Sequence, residues 1–142
     1  MSEPTYDPDN IFVKIIEGTI PCHKVYEDDD TLVFMDIMPA SRGHCLVVPK
    51  AAGRNLFDCP DDALTKAILV MKKVAIAAKK ALKADGITLR QNNEAASGQV
   101  VFHAHFHIMP RYEGEALIPH NPNQADHAEL AQIAAQIAAA IE

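Results

Sequence analysis

The alternation of apolar and polar residues along the chain predicts five β-strands. The five strand-like segments are 23–28, 31–37, 43–50, 87–92 and 100–111. The first three follow one another through short links, which is typical of antiparallel neighbours. The last two are separated by a turn that contains a glycine, 93-NEAASGQ-99.

Three other segments have helical periodicity instead. The segment 11-IFVKII-16 is followed by Gly18, which predicts a helix end, and another helix is predicted from about residue 125. The longest predicted helix, 60–84, carries a stripe of apolar side chains: Leu64, Ile68, Met71, Ala75, Ala78 and Leu82. Because this helix separates the third and fourth strands, it would pack on one face of an antiparallel sheet. We therefore predict an α+β fold.

Composition and charge exclude several classes of protein. The 142 residues, 49% of them hydrophobic, fit a single domain spanning 1–142, with 1–9 predicted as a loose N-terminus. The net charge of −6 argues against a nucleic-acid partner, although a local cluster of donors would suffice for a small nucleotide. The chain has neither a long apolar run nor a signal-like start, so we expect no membrane partner and a cytoplasmic location. Three cysteines without a C-x-x-C pair predict free thiols.

The most informative segment is 103-HAHFHIM-109, in which three histidines alternate with apolar residues. Alternate side chains of a strand share a face, so His103, His105 and His107 would form a row with about 7 Å between neighbours. That face would be wet or would line a pocket. The residues expected to bury against a helix on the opposite face are Phe102, Phe106 and Ile108.

The residues alone leave three interpretations of this row. The first is a half-exposed strand with incidental histidines. The second is a metal site, because H-x-H on a strand is a good ligand pair and His44 would supply a third ligand. The third is phosphate chemistry, because a neutral imidazole is a nucleophile toward phosphorus and an imidazolium donates a proton to a leaving group.

Residues on either side of the row favour phosphate chemistry. The flexible turn at Gly98 would let backbone N–H groups approach an oxyanion. Asn92 and Gln99 would offer amide donors without adding charge. Arg111 follows the row as a fixed cation, so a bound phosphate would be neutralised from both ends of one strand.

The pattern His-φ-His-φ-His-φ-φ, in which φ is apolar, matches 103-HAHFHIM-109 at every position. Together with 33-VFMDIMPASRGHCLVVPK-50 and 92-NNEAASGQVVFHAHFHIMPR-111, this motif resembles the histidine triad (HIT) family of nucleotide hydrolases and transferases, most closely its bacterial Hint-like branch. The resemblance covers nearly the whole chain. It implies a HIT-like fold, with about five antiparallel strands, a long helix packed on one face and a C-terminal helix.

The resemblance implies a role for each histidine. His105 would attack the α-phosphorus of a nucleotide and carry a covalent nucleotidyl group. His103 would help to set the tautomer and orientation of His105. His107 would sit toward the leaving group and the phosphate oxygens.

The resemblance also implies how the nucleotide is held. Asn92 and the backbone of Gly98 and Gln99 would hold the phosphate. Asp36 would accept hydrogen bonds from the ribose hydroxyls, because a carboxylate can accept from both. The residues implied to flank the base are Phe34 and Ile37.

The chain departs from the family pattern at two places. Many bacterial relatives carry a zinc-binding C-x-x-C pair in the first helix, where this chain has Asn10 and Val13. Only His44 and His103 remain as ligands, and two ligands rarely hold structural zinc, so we predict no metal and no cofactor. The second place is Val100, where relatives commonly carry Ser or Thr.

The implied activity is hydrolysis of purine nucleoside phosphoramidates, or of related AMP-linked substrates, through a nucleotidyl-histidine intermediate. The implied assembly is a homodimer. One alternative is hydrolysis of dinucleoside polyphosphates, or nucleotidyl transfer. Another is a nucleotide-binding regulatory protein whose turnover is incidental.

Overall fold

The computed structural model describes residues 4–119 and 121–142, and these form five strands and three α-helices, as the hydrophobic pattern predicts. The helices are α1 (Ile11–Ile16), α2 (Asp61–Ala81) and α3 (His127–Ala140). The strands are β1 (Lys24–Glu27), β2 (Thr31–Met35), β3 (Cys45–Pro49), β4 (Gly86–Arg90) and β5 (Phe106–Arg111). A 3₁₀ turn, Ala95–Ser97, lies between β4 and β5.

All five strands belong to one sheet in the order β1-β2-β3-β5-β4, and every pair is antiparallel. The predicted α+β fold is therefore confirmed. The pairing of β5 with both neighbours places His107 opposite Leu46 of β3 and opposite Arg90 of β4. Opposite residues of an antiparallel pair lie on the same face, so this register decides which side chains surround the histidine.

One face of the sheet is covered by α2 and α3. The α2 residues that are buried there are Ala63, Ala67, Val70, Met71, Val74, Ala77 and Ala78. The stripe predicted from the sequence is wrong at Ile68, whose side chain is 48% exposed. Alanine lets a helix backbone approach a sheet closely, so the helix turns its alanine-rich face inward and leaves some larger residues outside.

The opposite face of the sheet is covered at one end by α1. Asn10 caps this helix, because its side-chain Oδ1 accepts hydrogen bonds from the N–H groups of Phe12 and Val13 at 2.9 and 3.1 Å. Phe12 then packs edge-on against Phe34 of β2, with 5.5 Å between ring centroids. Because both faces are covered here, every residue of β2 and β3 is buried.

The segment before β5 differs from the prediction. The strand begins only at Phe106, so His103 and His105 precede it and do not share a strand face with His107. Phe106 and Ile108 pack in the core beneath α2, as predicted, but Phe102 does not. Its ring lies under the Arg54 guanidinium, 4.1 Å from the centroid.

Two expectations from composition concern the described residues. The thiols of Cys22, Cys45 and Cys59 are all free, as predicted. Within residues 4–119 and 121–142, no helix combines the length and the apolar character that crossing a membrane requires.

Candidate active site

The histidine row has two parts with different surroundings. His105 and His107 are half-buried neighbours, with ring centroids 5.1 Å apart and ring planes at 64°. His103 is completely buried, so the expectation that three histidines share one face that is wet or lines a pocket is wrong. The chemistry therefore concentrates on two rings, and the third has a supporting position.

The tautomer of His105 follows from its main-chain contact. Its Nδ1 lies 2.6 Å from the carbonyl oxygen of His103, and a carbonyl can only accept a hydrogen bond. Nδ1 therefore carries the hydrogen, and Nε2 has a free lone pair. Burial lowers the pKa of His105 below its ordinary value, and the backbone hydrogen bond opposes this only in part, so the ring is neutral at pH 7. An unprotonated Nε2 on a positioned ring is the requirement for a nitrogen nucleophile.

A second chain of contacts fixes the tautomer of His107. The Ala40 N–H donates to Nδ1 of His44 at 3.0 Å, so the hydrogen of neutral His44 is on Nε2. This Nε2–H points at Nδ1 of His107, 2.9 Å away. His107 accepts there and keeps its own hydrogen on Nε2. In the sequence His44 suggests only a metal ligand, and nothing there marks it as the partner of His107.

Both rings of this pair are held neutral. Burial, followed by the unfavourable effect of a further positive charge beside His105, His44 and Arg90, lowers the pKa of His107 to about 3. Burial, followed by Arg90 and His105, likewise lowers the pKa of His44 to about 4. His107 thus presents a neutral N–H donor, not an imidazolium.

The ring of His103 has partners at both nitrogens. Its Nε2 lies 2.8 Å from the Pro49 carbonyl oxygen and therefore donates. Its Nδ1 accepts from the Tyr6 hydroxyl at 2.8 Å, and the Asn10 amide lies 3.4 Å away. The carbonyl oxygen of His103 contacts His105, so this oxygen would perform the orienting role that the resemblance implies. The ring of His103 instead contacts the N-terminal segment.

This contact overturns the expected looseness of residues 1–9 from Tyr6 onward, whereas residues 1–3 of that segment lie outside the described residues. Tyr6 is half-buried, with its ring centroid 5.6 Å from that of His103. The Thr5 carbonyl oxygen also accepts a hydrogen bond from Arg54 at 3.3 Å. No local sequence signal identifies Tyr6, because its partner lies 97 residues away.

The three residues implied to bind the nucleoside have different surroundings. Asp36 is half-buried, accepts a hydrogen bond from the Met38 N–H at 2.8 Å, and has a pKa raised by burial. Ile37 is exposed and available to a ligand. Phe34 is only 4% exposed and belongs to the core around Phe12, so the structure does not support its assignment as an open base contact.

Asp36, His44 and His107 also have ligand atoms within 4.8 Å of one another. This set differs from the pair His44 and His103 considered from the sequence, because both ring nitrogens of His103 already have protein partners. A hydrogen bond already joins Nε2 of His44 to Nδ1 of His107. A metal here would displace that proton, so the arrangement fits a hydrogen-bonded pair better than a metal centre.

The Gln99 side chain holds the loop before the triad in place. The Gln99 side chain accepts from the Glu94 N–H at 2.7 Å and donates to the Arg54 carbonyl at 2.7 Å. The N–H groups of Gly98 and Gln99 donate to carbonyl groups of the same loop, at 3.0 and 3.2 Å. The structure therefore does not support the expectation that these groups face a phosphate. Asn92 is half-buried beside Gly98, whose φ of +102° lies in the left-handed region.

An ion pair joins this loop to the loop after β3. The Arg54 guanidinium binds Glu94 through two bonds of 2.8 Å, and Asn55 donates to the same carboxylate at 2.6 Å. Glu94 has a φ of +73°, which non-glycine residues rarely adopt. The contacts to Arg54 and Asn55 hold this conformation and so fix the path of the chain toward His103.

Arg90 places a positive charge beside the triad, although no pattern in the sequence points to this residue. Arg111, which was expected to neutralise the phosphate, lies at the other end of β5, about 13 Å along the strand from His107. It donates to the Thr88 hydroxyl at 3.2 Å. Arg90 is directly opposite His107 in the sheet. Strand register is a property of the folded sheet, so the sequence alone could not reveal this pair.

Comparison with known proteins agrees with this architecture. The HIT domain family matches residues 17–114. A Hit-like protein of Bartonella henselae has a crystal structure that superposes with a TM-score of 0.94, at 49% identity over 97% of this chain and 100% of that one. The adenosine 5'-monophosphoramidase of Saccharomyces cerevisiae is 39% identical, over 100% of this chain and 89% of its own. The adenylylsulfatase of Arabidopsis thaliana is 41% identical, over 80% of this chain and 57% of its own. The chain belongs to the HIT domain family.

Proposed function

We propose that this protein is a nucleotide hydrolase that cleaves purine nucleoside phosphoramidates, or related AMP-linked substrates, through a nucleotide covalently bound to His105. Family membership supports a nucleotide substrate. The names of two relatives, an adenosine 5'-monophosphoramidase and an adenylylsulfatase, support attack at the phosphorus of an AMP group. The observation that carries the proposal is the free Nε2 of neutral His105, held by the 2.6 Å contact between its Nδ1 and the His103 carbonyl.

The reaction would take two steps. In the first, Nε2 of His105 forms a bond to the α-phosphorus, and the bond from phosphorus to the leaving group breaks with its electron pair on the leaving group. In the second, water forms a bond to phosphorus and the P–N bond breaks, which returns the electron pair to Nε2. The proton released by water passes to the departed group or to solvent. His107 would donate a hydrogen bond from Nε2–H to the phosphoryl oxygens in both steps.

The ribose would lie at Asp36, and the phosphate would lie at Asn92. Asp36 would accept from the ribose hydroxyls, and exposed Ile37 would contact the base. The Asn92 amide would donate to the phosphate. Because the Gln99 side chain is already bonded within the protein, we assign it to positioning of the loop and not to phosphate binding.

Replacement of the nucleophile tests the proposal directly. His105→Ala should lower kcat by several orders of magnitude, while AMP binding and the melting temperature stay close to those of the wild type. His23→Ala is the matched control, because His23 is half-buried away from the triad and, among the described residues, its ring forms a hydrogen bond only to His127. Mass spectrometry of the wild type, quenched with denaturant at alkaline pH because the P–N bond is labile in acid, should find AMP on His105. AMP trapped on another residue, or binding of AMP without turnover of any AMP-linked compound, would contradict the proposal.

We also propose a homodimer. The order of the sheet leaves the outer edge of β4 without a partner among the described residues, and Leu89 on this strand is exposed. Ile68 and other apolar residues of α2 are also exposed. Sedimentation at micromolar concentration should give twice the mass of one chain, and a mass of 15.5 kDa would refute the dimer.

A further inference from the structure

We propose that Arg90 binds the leaving group and that the preferred substrates are therefore adenylates whose leaving group is an anion, such as sulfate or phosphate. This inference rests on the proposed function and specifies its substrate class. It assigns a task to a side chain that lies outside the histidine triad and its flanking loop.

Arg90 lies at the opposite end of the site from Asp36. Four residues from neighbouring strands, or from their ends, form a row across the sheet: Asp36, His44, His107 and Arg90. Asp36 follows β2 and donates its N–H to the His44 carbonyl at 3.0 Å. His44 contacts His107, which pairs with Arg90. Asp36 and Arg90 thus stand at opposite ends of this row.

This order sets the direction of a bound substrate. With the ribose at Asp36 and the α-phosphorus at His105, the group beyond phosphorus points away from Asp36. It therefore points toward the end of the row that Arg90 occupies. Residues opposite one another in an antiparallel pair have Cα atoms about 5 Å apart and side chains on one face, so the guanidinium can reach an atom bound at His107.

The guanidinium of Arg90 is available to a ligand. Arg54 is engaged by Glu94, and Arg111 donates to Thr88. The Arg90 side chain is exposed and makes no hydrogen bond or ion pair within residues 4–119 and 121–142. Its charge also contributes to the lowered pKa of both His44 and His107, which agrees with a guanidinium close to the two rings. A free guanidinium is suited to two-pronged binding of sulfate, phosphate or carboxylate oxygens.

Anionic and amine leaving groups differ in whether they need a proton to depart. When the bond from phosphorus to oxygen breaks, a sulfate or phosphate leaves with the electron pair and needs no proton. An amine leaving group must take up a proton to depart, and a neutral His107 is a poor source. The site therefore stabilises departing negative charge with Arg90 but has little acid to offer an amine.

The test compares two leaving groups on one nucleotide. We would measure kcat/KM for adenylyl sulfate and for adenosine 5'-phosphoramidate with the wild type, Arg90→Gln and Arg90→Lys. Arg90→Gln should lower kcat/KM for adenylyl sulfate by about 10- to 100-fold and change that for the phosphoramidate by less than about threefold. Arg90→Lys should recover part of the loss, because it keeps the charge but not the two-pronged geometry.

Arg111→Gln is the matched control, since Arg111 is the same residue type on the neighbouring strand of the same sheet, remote from His107. It should leave the ratio of the two kcat/KM values unchanged. An equal loss on both substrates with Arg90→Gln, or no loss on either, would overturn the role of Arg90 while the proposed function stands. A wild type that hydrolyses neither substrate would instead overturn the proposed function itself.

Discussion

The hydrogen bond from Tyr6 to His103 makes a measurable contribution to stability, and Tyr6→Phe removes it without changing the shape of the ring. Burial raises the pKa of the Tyr6 hydroxyl, so this group stays protonated and donates at every pH near neutral. The acceptor, Nδ1 of His103, belongs to a completely buried ring and would lose its 2.8 Å partner. The Asn10 amide, at 3.4 Å, would satisfy it only in part.

The magnitude follows from these contacts. A hydrogen bond contributes roughly 0.5–1.5 kcal/mol, and a buried acceptor left without a full partner adds to that cost. We therefore expect Tyr6→Phe to lower the free energy of unfolding by about 1–2 kcal/mol. For a chain of this size the melting temperature should fall by about 3–6 °C.

Urea denaturation and thermal melting at pH 7 would measure this effect. Tyr112→Phe is the matched control, because the Tyr112 hydroxyl donates to the Arg42 carbonyl at 3.2 Å in an exposed position. Tyr112→Phe should lower the free energy of unfolding by less than about 0.5 kcal/mol. If both variants were equally stable, the contact with His103 would carry no special weight and the N-terminal segment would be held by other interactions.

Three further predictions concern pH, the loop and the leaving group. The pKa values of His44 and His107, about 4 and about 3 against 6.5 when unperturbed, mean that the unfolded chain binds more protons below pH 6.5. Stability should therefore be complete above pH 6.5 and fall by about 2–4 kcal/mol from pH 7 to pH 5, as urea denaturation at several pH values would detect; a flat profile would refute the buried neutral pair. Gly98→Ala should cost about 1–2 kcal/mol because φ is +102°, whereas Gly86→Ala, with open space around it, should cost less than half of that. Val100→Thr, at a side chain that is 75% exposed, should raise the rate on amine leaving groups about two- to thirteenfold, and an unchanged ratio of amide to ester rates would show that the hydroxyl is irrelevant.

The elements of the fold were predictable because their signals are local. Helical spacing and Gly18 predict α1, and alternation between short links predicts β1, β2 and β3 close to the observed bounds. The buried face of α2 was not predictable from the size of its side chains. Close approach to the sheet favours alanine, so Ile68 lies outside although its hydropathy suggests the core.

The site was predictable only where the motif itself names the residue. The three histidines stand out from their spacing, but their partners are distant in sequence: Tyr6 for His103, and His44 for His107. The expectation that Arg111 is the cation at the phosphate was wrong for a related reason. Proximity along one strand suggested Arg111, whereas pairing between strands brings Arg90 to His107.

The ion pair between Arg54 and Glu94 has a consequence for protein engineering. The loop that precedes the triad is not an independent module, because its conformation at Glu94 depends on two residues, Arg54 and Asn55, almost forty positions earlier in the chain. A chimaera that receives residues 91–99 from a relative without a carboxylate at position 94 would leave Arg54 and Asn55 without their partner. Successful exchange of loops between members of this family should therefore require that residues 54–55 be transplanted with them, as one discontinuous unit.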